Sequence, residues 1–140
     1  MKKLAHLGAF AALALSANAV AAVDFSKPNC TPDSCKVQIT VSGAGCGGGI
    51  AVSPDPITVA HGKPVIIEWN VTAPWTFAGK GIVINIPNGE FDAAPTVSKE
   101  KSQAKIGNKA ANKGSYKYDI VLANDAAKTT CTLDPTILNY

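Results

Sequence analysis

The sequence predicts an all-β domain, an antiparallel sandwich or barrel of about seven short strands. Two observations support this class. Apolar and polar residues alternate with a period of two in several stretches, which is the pattern of half-buried strands. Turn-forming glycine, proline, asparagine and aspartate recur between these stretches, roughly every eight to twelve residues, as in known sandwiches. No repeat, coiled-coil pattern or second domain is visible in the 140 residues.

The first part of the domain contains predicted strands that end at glycine or proline, and they cover residues 36–41, 49–52, 57–59, 64–70, 75–77 and 81–86. Residues 64–70 give the strongest signal, because they are rich in β-branched and aromatic side chains. The glycine-rich segment 43–49 lacks the lysine and the following helix of a phosphate-binding loop, so it is predicted to connect two strands. Gly79-Lys80-Gly81 is predicted to be a turn.

The second part is less regular. Residues 87–114 are polar and rich in lysine, and they fit either a short helix or an extended connection with a strand near 103–106. Residues 114–122 alternate clearly and predict another strand. The last predicted strand covers residues 128–138 and is broken by Asp134-Pro135.

The amino-terminal residues have a different composition. Lys2 and Lys3 precede an apolar run at 4–15, and small residues follow at 17–21. This is the pattern of a bacterial signal peptide, and the run is too short for the roughly 20 residues of a spanning helix. We therefore predict a signal peptide at 1–22 and a periplasmic or secreted domain at 23–140, without a membrane span.

The charged residues argue against one class of partner. All 13 basic residues are lysine, and residues 23–140 contain 11 lysines against 10 acidic residues. Arginine provides the planar fork that suits phosphates and base edges. Its absence, together with the balanced charge, predicts that the domain does not bind nucleic acid.

Four cysteines lie in the predicted domain, at positions 30, 35, 46 and 131. An even number of cysteines in an exported chain indicates disulfides, and four cysteines allow three pairings. We favour Cys30 with Cys35, across a Pro-Asp turn, and Cys46 with Cys131, which joins distant parts of the domain. A zinc site is the alternative, but no C-x2-C pair exists and only His61 could assist.

Three segments carry a resemblance to a known family. They are residues 57–70, a strand, turn and strand that close on asparagine; Pro74-Trp75; and residues 114–120, a G-x-Y-x-Y strand. Together they resemble the cupredoxin family, the blue-copper Greek-key β-sandwiches. The resemblance implies a Greek-key sandwich of about seven strands, with an immunoglobulin-like sandwich as the alternative. Residues 131–139 are also similar to the ending of a group of exported bacterial proteins, a likeness that implies no activity.

The copper ligands of that family are missing. The resemblance places Trp75 where the family commonly has a ligand histidine, and Ile120 where it has the ligand cysteine. A blue-copper centre needs two imidazoles and a thiolate. His61 is the single histidine after residue 22, and Met1 is the single methionine. The resemblance therefore implies the scaffold without copper, and we predict no metal and no cofactor.

Several other residues are candidates for a functional site. Trp75 and Phe77 form a possible binding patch at the end of the sandwich where a cupredoxin holds its metal; alternatively, Trp75 fills the space of that site. His61 precedes Gly62-Lys63 and fits an exposed hairpin. Four carboxylates are candidates for acid–base chemistry, but their spacing selects no pair: Asp55, Glu68, Asp92 and Asp119.

We predict a non-catalytic binding or structural module whose partner is unknown, with another envelope protein as one candidate. Strand edges give protein binding a physical route. A copper-handling protein that uses His61 with the mature amino terminus is the alternative, and a cell-envelope hydrolase is a third.

Overall fold

The computed structural model describes residues 22, 24, 26–85 and 88–140, so the predicted signal peptide at 1–22 lies outside the described residues except for Ala22. The described chain is almost entirely β structure, with one short 3-10 turn at Cys46–Gly48. The strands are β1 (Lys36–Val41), β2 (Ile50–Ser53), β3 (Ile57–Val59), β4 (Val65–Val71), β5 (Thr76–Ile84), β6 (Thr96–Val97), β7 (Gln103–Asn108), β8 (Gly114–Asn124), β9 (Thr129–Leu133) and β10 (Thr136–Asn139).

The strands form two sheets packed as a sandwich, which confirms the predicted all-β sandwich, although the described residues form ten strands where about seven were predicted. The first sheet has the order β2-β1-β4-β7-β6; the second has the order β3-β10-β8-β5, with β9 also paired to β8. Both sheets are mixed, because β1 runs parallel to β4 and β3 runs parallel to β10. The prediction of a purely antiparallel arrangement is wrong at these pairs. The chain passes through the second sheet as β3 before it returns to the first as β4, so β1 and β4 are not joined by a hairpin.

The prediction of a turn at Gly79-Lys80-Gly81 is wrong, because these residues lie inside a single strand, β5. The pairing of β5 with β8 shifts register between Phe77 and Ile82, as at a β-bulge. Gly79 and Gly81 have φ values of +57° and +70°, which glycine adopts at low cost. The chain kinks at this point without reversing direction. Ile86, the end of the predicted strand, lies outside the described residues.

Residues 87–114 were predicted to form either a short helix or an extended connection with a strand, and their described part forms the extended connection. Its strand β7 lies between β4 and β6 in the first sheet and buries Ala104 and Ile106. The last predicted strand is two strands, β9 and β10, on either side of Asp134-Pro135. Both pair with β8, at successive parts of its length.

The core lies between the sheets and includes both tryptophans. The indole N–H of Trp69 on β4 donates a hydrogen bond of 3.2 Å to the hydroxyl oxygen of Tyr118 on β8. Both side chains are fully buried, and their ring centroids are 5.4 Å apart. Burial raises the pKa of the Tyr118 hydroxyl well above its usual range, so it stays protonated. This contact joins the two sheets and satisfies two polar groups that would otherwise be buried without partners.

Both favoured disulfides are present. Cys30 is bonded to Cys35 and closes a short loop, in which backbone hydrogen bonds of 3.0 and 3.1 Å join Thr31 and Ser34. Cys46 is bonded to Cys131 and attaches the glycine-rich segment to β9, across a sequence separation of 85 residues. All four cysteines are therefore paired.

The two disulfides are expected to differ in their effect on stability. The chain-entropy model gives about 4.5 kcal/mol for the long loop of Cys46–Cys131 and about 2 kcal/mol for the short loop of Cys30–Cys35. Replacing each pair by serine should lower the free energy of unfolding, measured in urea, by more for the first pair. A larger loss for the short loop would contradict this ranking.

Candidate functional site

Trp75 and Phe77 do not form a surface patch. Trp75 is 2% exposed and Phe77 is 1% exposed, because both pack into the core at the start of β5. The indole N–H of Trp75 donates to the carbonyl oxygen of Gly43 at 3.3 Å. The glycine-rich segment therefore supplies the hydrogen-bond partner of Trp75. The possible binding patch predicted at these residues is wrong in the folded protein, and the alternative in which Trp75 fills interior space is the better description.

The polar candidates have local partners. His61 is exposed, as predicted, and its Nε2 lies 3.0 Å from the carbonyl oxygen of Ala111. Asp55 accepts a hydrogen bond of 3.3 Å from the backbone N–H of Thr136, and Asp119 is half-buried on β8. Within residues 26–85 and 88–140, no three histidine, cysteine, aspartate or glutamate side chains come together in a way that could hold a metal ion.

The outer face of the first sheet contains a different feature, centred on Ile66. Ile66 on β4 is 65% exposed and is the one large apolar side chain that is exposed among the described residues. Three neighbouring depressions meet at it, and the largest has a volume of about 380 Å³. We call this continuous surface the Ile66 groove; its principal lining residues are Pro32, Pro64, Ile66, Asp92, Ala94 and Gly107.

Beside Ile66 the floor of the groove is a glycine, and the carboxylate of Asp92 lies against it. Gly107 on β7 lies directly opposite Ile66, so no side chain covers it from that strand. The carboxylate of Asp92 accepts a hydrogen bond of 2.9 Å from the backbone N–H of Gly107. The backbone N–H of Asp92 donates to the carbonyl oxygen of Gly107 at 3.0 Å. A Cβ at position 107 would overlap the Asp92 carboxylate, so a larger residue there would displace this exposed side chain and break its hydrogen bond to the backbone N–H of residue 107.

Two walls border the floor. One wall is the Cys30–Cys35 loop, whose Pro32 and Asp33 line the groove. The other is the segment before and within β6, which contributes Ala94 and Thr96. The second wall continues from the Asp92 contacts with β7. The first wall is therefore held by a disulfide, and the second by hydrogen bonds between two lining residues, Asp92 and Gly107.

A chain of polar contacts borders one end of the groove. The Lys105 ammonium lies 2.9 Å from Oε2 of Glu68, directly across the β4–β7 pair. Asn70 donates to Oε1 of Glu68 at 3.2 Å, and Gln103 donates to Oδ1 of Asn70 at 3.1 Å. The hydrogen bonds from Lys105 and Asn70 lower the pKa of the Glu68 carboxyl below its usual value. The groove therefore has an apolar centre and a charged, hydrogen-bonded border.

This arrangement suits non-covalent recognition. Shallow apolar surfaces with polar borders are the usual form of protein-binding sites. Nucleophilic catalysis needs a nucleophile, a base and an orienting group within hydrogen-bond reach of one another. The groove offers instead three carboxylates: Glu68 and Asp92, which already have partners in Lys105 and Gly107, and the exposed Asp33.

A second unexpected feature is a buried carboxylate. Glu90 is 1% exposed, and the backbone and side-chain N–H groups of Asn112 donate to it at 3.2 and 2.7 Å. The side-chain amide of Asn139 on β10 donates at 3.2 Å. Asn139 also exchanges hydrogen bonds with the side chain of Asn108 on β7. This network connects a turn, a loop and two strands from different sheets, so its role is structural.

Sequence reasoning missed both Ile66 and Glu90. Residues 65–67 read Val-Ile-Ile, and the signal lies in the residues that follow: Glu68 and Asn70 alternate with Trp69 and share a face with Ile66. The alternation places Ile66 on the outward face, but it does not say whether another segment covers that face. Gly107 lies just beyond the strand predicted near 103–106 and inside the observed β7, where a glycine often marks a close backbone approach. Glu90 lies in a polar segment, where an exposed position is the ordinary expectation.

The Glu68 ion pair should make stability depend on pH. Because the pKa of Glu68 is lower in the folded than in the unfolded state, its ion pair adds to the free energy of unfolding at pH values above the unfolded-state pKa. This added stability is lost as the pH falls through the folded-state pKa. Glu68→Gln should cost about 0.5 kcal/mol at pH 7 and nothing near pH 2. Urea unfolding at both pH values measures this, with exposed Glu100→Gln as the control. An equal cost at both pH values would contradict the assignment.

Glu90→Gln should destabilise the fold. The new amide group would face the amide donors of Asn112 or Asn139, which leaves a buried donor unsatisfied, at a cost of about 1–3 kcal/mol. Thermal and urea unfolding of this variant, compared with Glu100→Gln, provide the measurement. The structural role of Glu90 is refuted if both variants unfold at the same midpoint.

The described residues contain no helix with the length and apolar character needed to cross a membrane. No protein-family model matches this sequence, and no curated protein is significantly similar to it.

Proposed function

We propose that this protein is an exported, non-catalytic binding module that recognises a partner protein through the Ile66 groove. The scaffold is cupredoxin-like and works without copper, and the predicted signal peptide directs it to the periplasm or beyond. Two disulfides support this location, since such bonds persist in oxidising compartments. The burial of Trp75 and Ile120 supports a copper-free scaffold, because both side chains are apolar parts of the core.

The exposure of Ile66 within a concave surface carries this proposal. A single exposed isoleucine on a flat surface would need no explanation. Ile66 differs because proline and alanine side chains flank it on two walls, and depressions adjoin it on several sides. An apolar side chain from a partner could lose its water shell there, and each Å² of apolar area removed from water contributes about 25 cal/mol.

The short edge strands of the first sheet favour binding through its outer face over strand addition to that sheet. In the first sheet the edge strands are β2 and β6, which have four and two residues. Short edges offer few backbone groups to an added strand. At the first sheet, strand addition is therefore a weaker route than recognition by the outer face, whereas the second sheet ends in the nine-residue edge strand β5, which keeps that route as the alternative.

Site-specific photocrosslinking in cells that export the protein tests the proposal. A benzoylphenylalanine at Ala94, on the wall of the groove, should form adducts with a partner protein. The adducts should be lost when Ile66→Lys is added, because a charged side chain would occupy the apolar centre. They should persist with Thr40→Lys, an exposed position on β1 of the same sheet.

Two outcomes would refute the groove as a binding site. One is the absence of adducts from Ala94. The other is an adduct pattern that Ile66→Lys and Thr40→Lys reduce equally, since that would reflect general charge and not the groove.

A further inference from the structure

We propose that the Cys46–Cys131 bond is a site of thiol–disulfide exchange, at which a dithiol reductant attacks Cys46 and releases the glycine-rich segment 43–49 from Trp75. This inference is independent of the Ile66 groove, because it concerns the connection between β1 and β2 and its attachment to β9. Three observations carry it: the unequal exposure of the two cysteines, the loose packing of the segment, and the hydrogen bond that the segment makes with Trp75.

The two cysteines of this bond differ in exposure. Cys46 is exposed on its 3-10 turn, whereas Cys131 on β9 is 3% exposed. A thiolate attacks a disulfide sulfur in line with the bond that breaks, and the rate depends on access to that sulfur. Attack on Cys46 therefore comes from the side away from the buried Cys131, whereas attack on Cys131 would have to pass through the core. Cys30 and Cys35 are both buried, so the other disulfide lacks an accessible sulfur of this kind.

The exchange is a balanced two-electron reaction. The reductant thiolate forms a mixed disulfide with Sγ of Cys46, and the bond to Cys131 breaks and leaves a thiolate that takes up a proton. The second thiolate of the reductant then attacks the reductant sulfur in the mixed disulfide and releases Cys46, which also takes up a proton. The reductant is thereby oxidised to a disulfide, and the protein disulfide is reduced to two thiols.

The segment that carries Cys46 is loosely packed. Apart from chain neighbours, no atom of the described residues lies within 4 Å of where a Cβ would stand at four of its glycines: Gly43, Gly45, Gly47 and Gly49. Close packing therefore does not require glycine at these positions. Glycine loses more conformational freedom than any other residue when its backbone is fixed. The segment is thus expected to regain much of this freedom once its covalent attachment is broken.

The disulfide attaches the segment to the end of the core that contains Trp75. Leu122 on β8 pairs with Cys131 on one side and with Phe77 on the other, so Cys131 and Phe77 belong to one row across the second sheet. Trp75 lies just before this row, and its indole N–H donates to the carbonyl oxygen of Gly43 at 3.3 Å. Release of the segment removes this partner and opens the indole to solvent.

Differential alkylation of the folded protein tests the exchange site. The oxidised protein is treated with limiting dithiothreitol, quenched with iodoacetamide and mapped by mass spectrometry. Cys46 and Cys131 should be alkylated about tenfold faster than Cys30 and Cys35, because exchange follows access to the sulfur. In urea, where the fold no longer shields any sulfur, both pairs should react at similar rates. With glutathione, a monothiol, the mixed disulfide should be trapped on Cys46.

Tryptophan fluorescence tests the release of the segment. Acrylamide should quench the oxidised protein weakly, since Trp69 and Trp75 are both buried. It should quench the double variant Cys46→Ser/Cys131→Ser more strongly. Adding Trp75→Phe to that variant should remove the increase, which assigns it to Trp75. Far-ultraviolet circular dichroism checks that the sandwich stays folded.

The exchange site is refuted if Cys30 and Cys35 react first or at the same rate in the folded protein, or if glutathione is trapped on Cys131. It is also refuted if no cysteine reacts until urea unfolds the chain. Release of the segment is overturned if quenching is the same in the double variant, or if quenching rises only with loss of the circular dichroism signal. Neither result bears on the Ile66 groove, which photocrosslinking tests separately.

Discussion

The burial of Trp69 against Tyr118 is the constraint on which the rest of the structure depends. Successive side chains of a strand point to opposite faces, so the inward position of Trp69 fixes the orientation of every residue in β4. Residues 65, 67, 69 and 71 face the core, and Ile66, Glu68 and Asn70 face outward. The exposure of Ile66 is thus a consequence of core packing, and a register shift of one residue would expose Trp69 instead.

The surface around Ile66 is concave because two segments beside the sheet are held against it. The Cys30–Cys35 disulfide holds one wall close to Ile66, and the reciprocal hydrogen bonds of Asp92 and Gly107 fix the other. The two cysteines are also buried in the core, so the first wall is anchored to it. A flat sheet face would have left Ile66 as an ordinary exposed residue, and the flanking segments make the face concave.

In the described strands, local sequence pattern determines the strand bounds, and long-range pairing determines which strands are neighbours. Residues 36–41 alternate and form β1 with the predicted bounds, because the alternation reflects a face that is buried. The turn predicted at Gly79 and Gly81 fails for a local reason, since the same positive φ values serve a turn and a bulge. The parallel pairing of β1 with β4 has no local signal, because it depends on the path through β3 in the second sheet.

The sequence by itself determined the all-β class, most strand positions and the disulfide pairing that we favoured, because these follow from residue spacing and composition. The tertiary structure alone decided that Trp75 is interior, that Ile66 is exposed, and that Glu90 is buried among asparagine amides. The reason is the same in each case. Exposure depends on which distant segments cover a residue, and no local pattern in the chain specifies those segments.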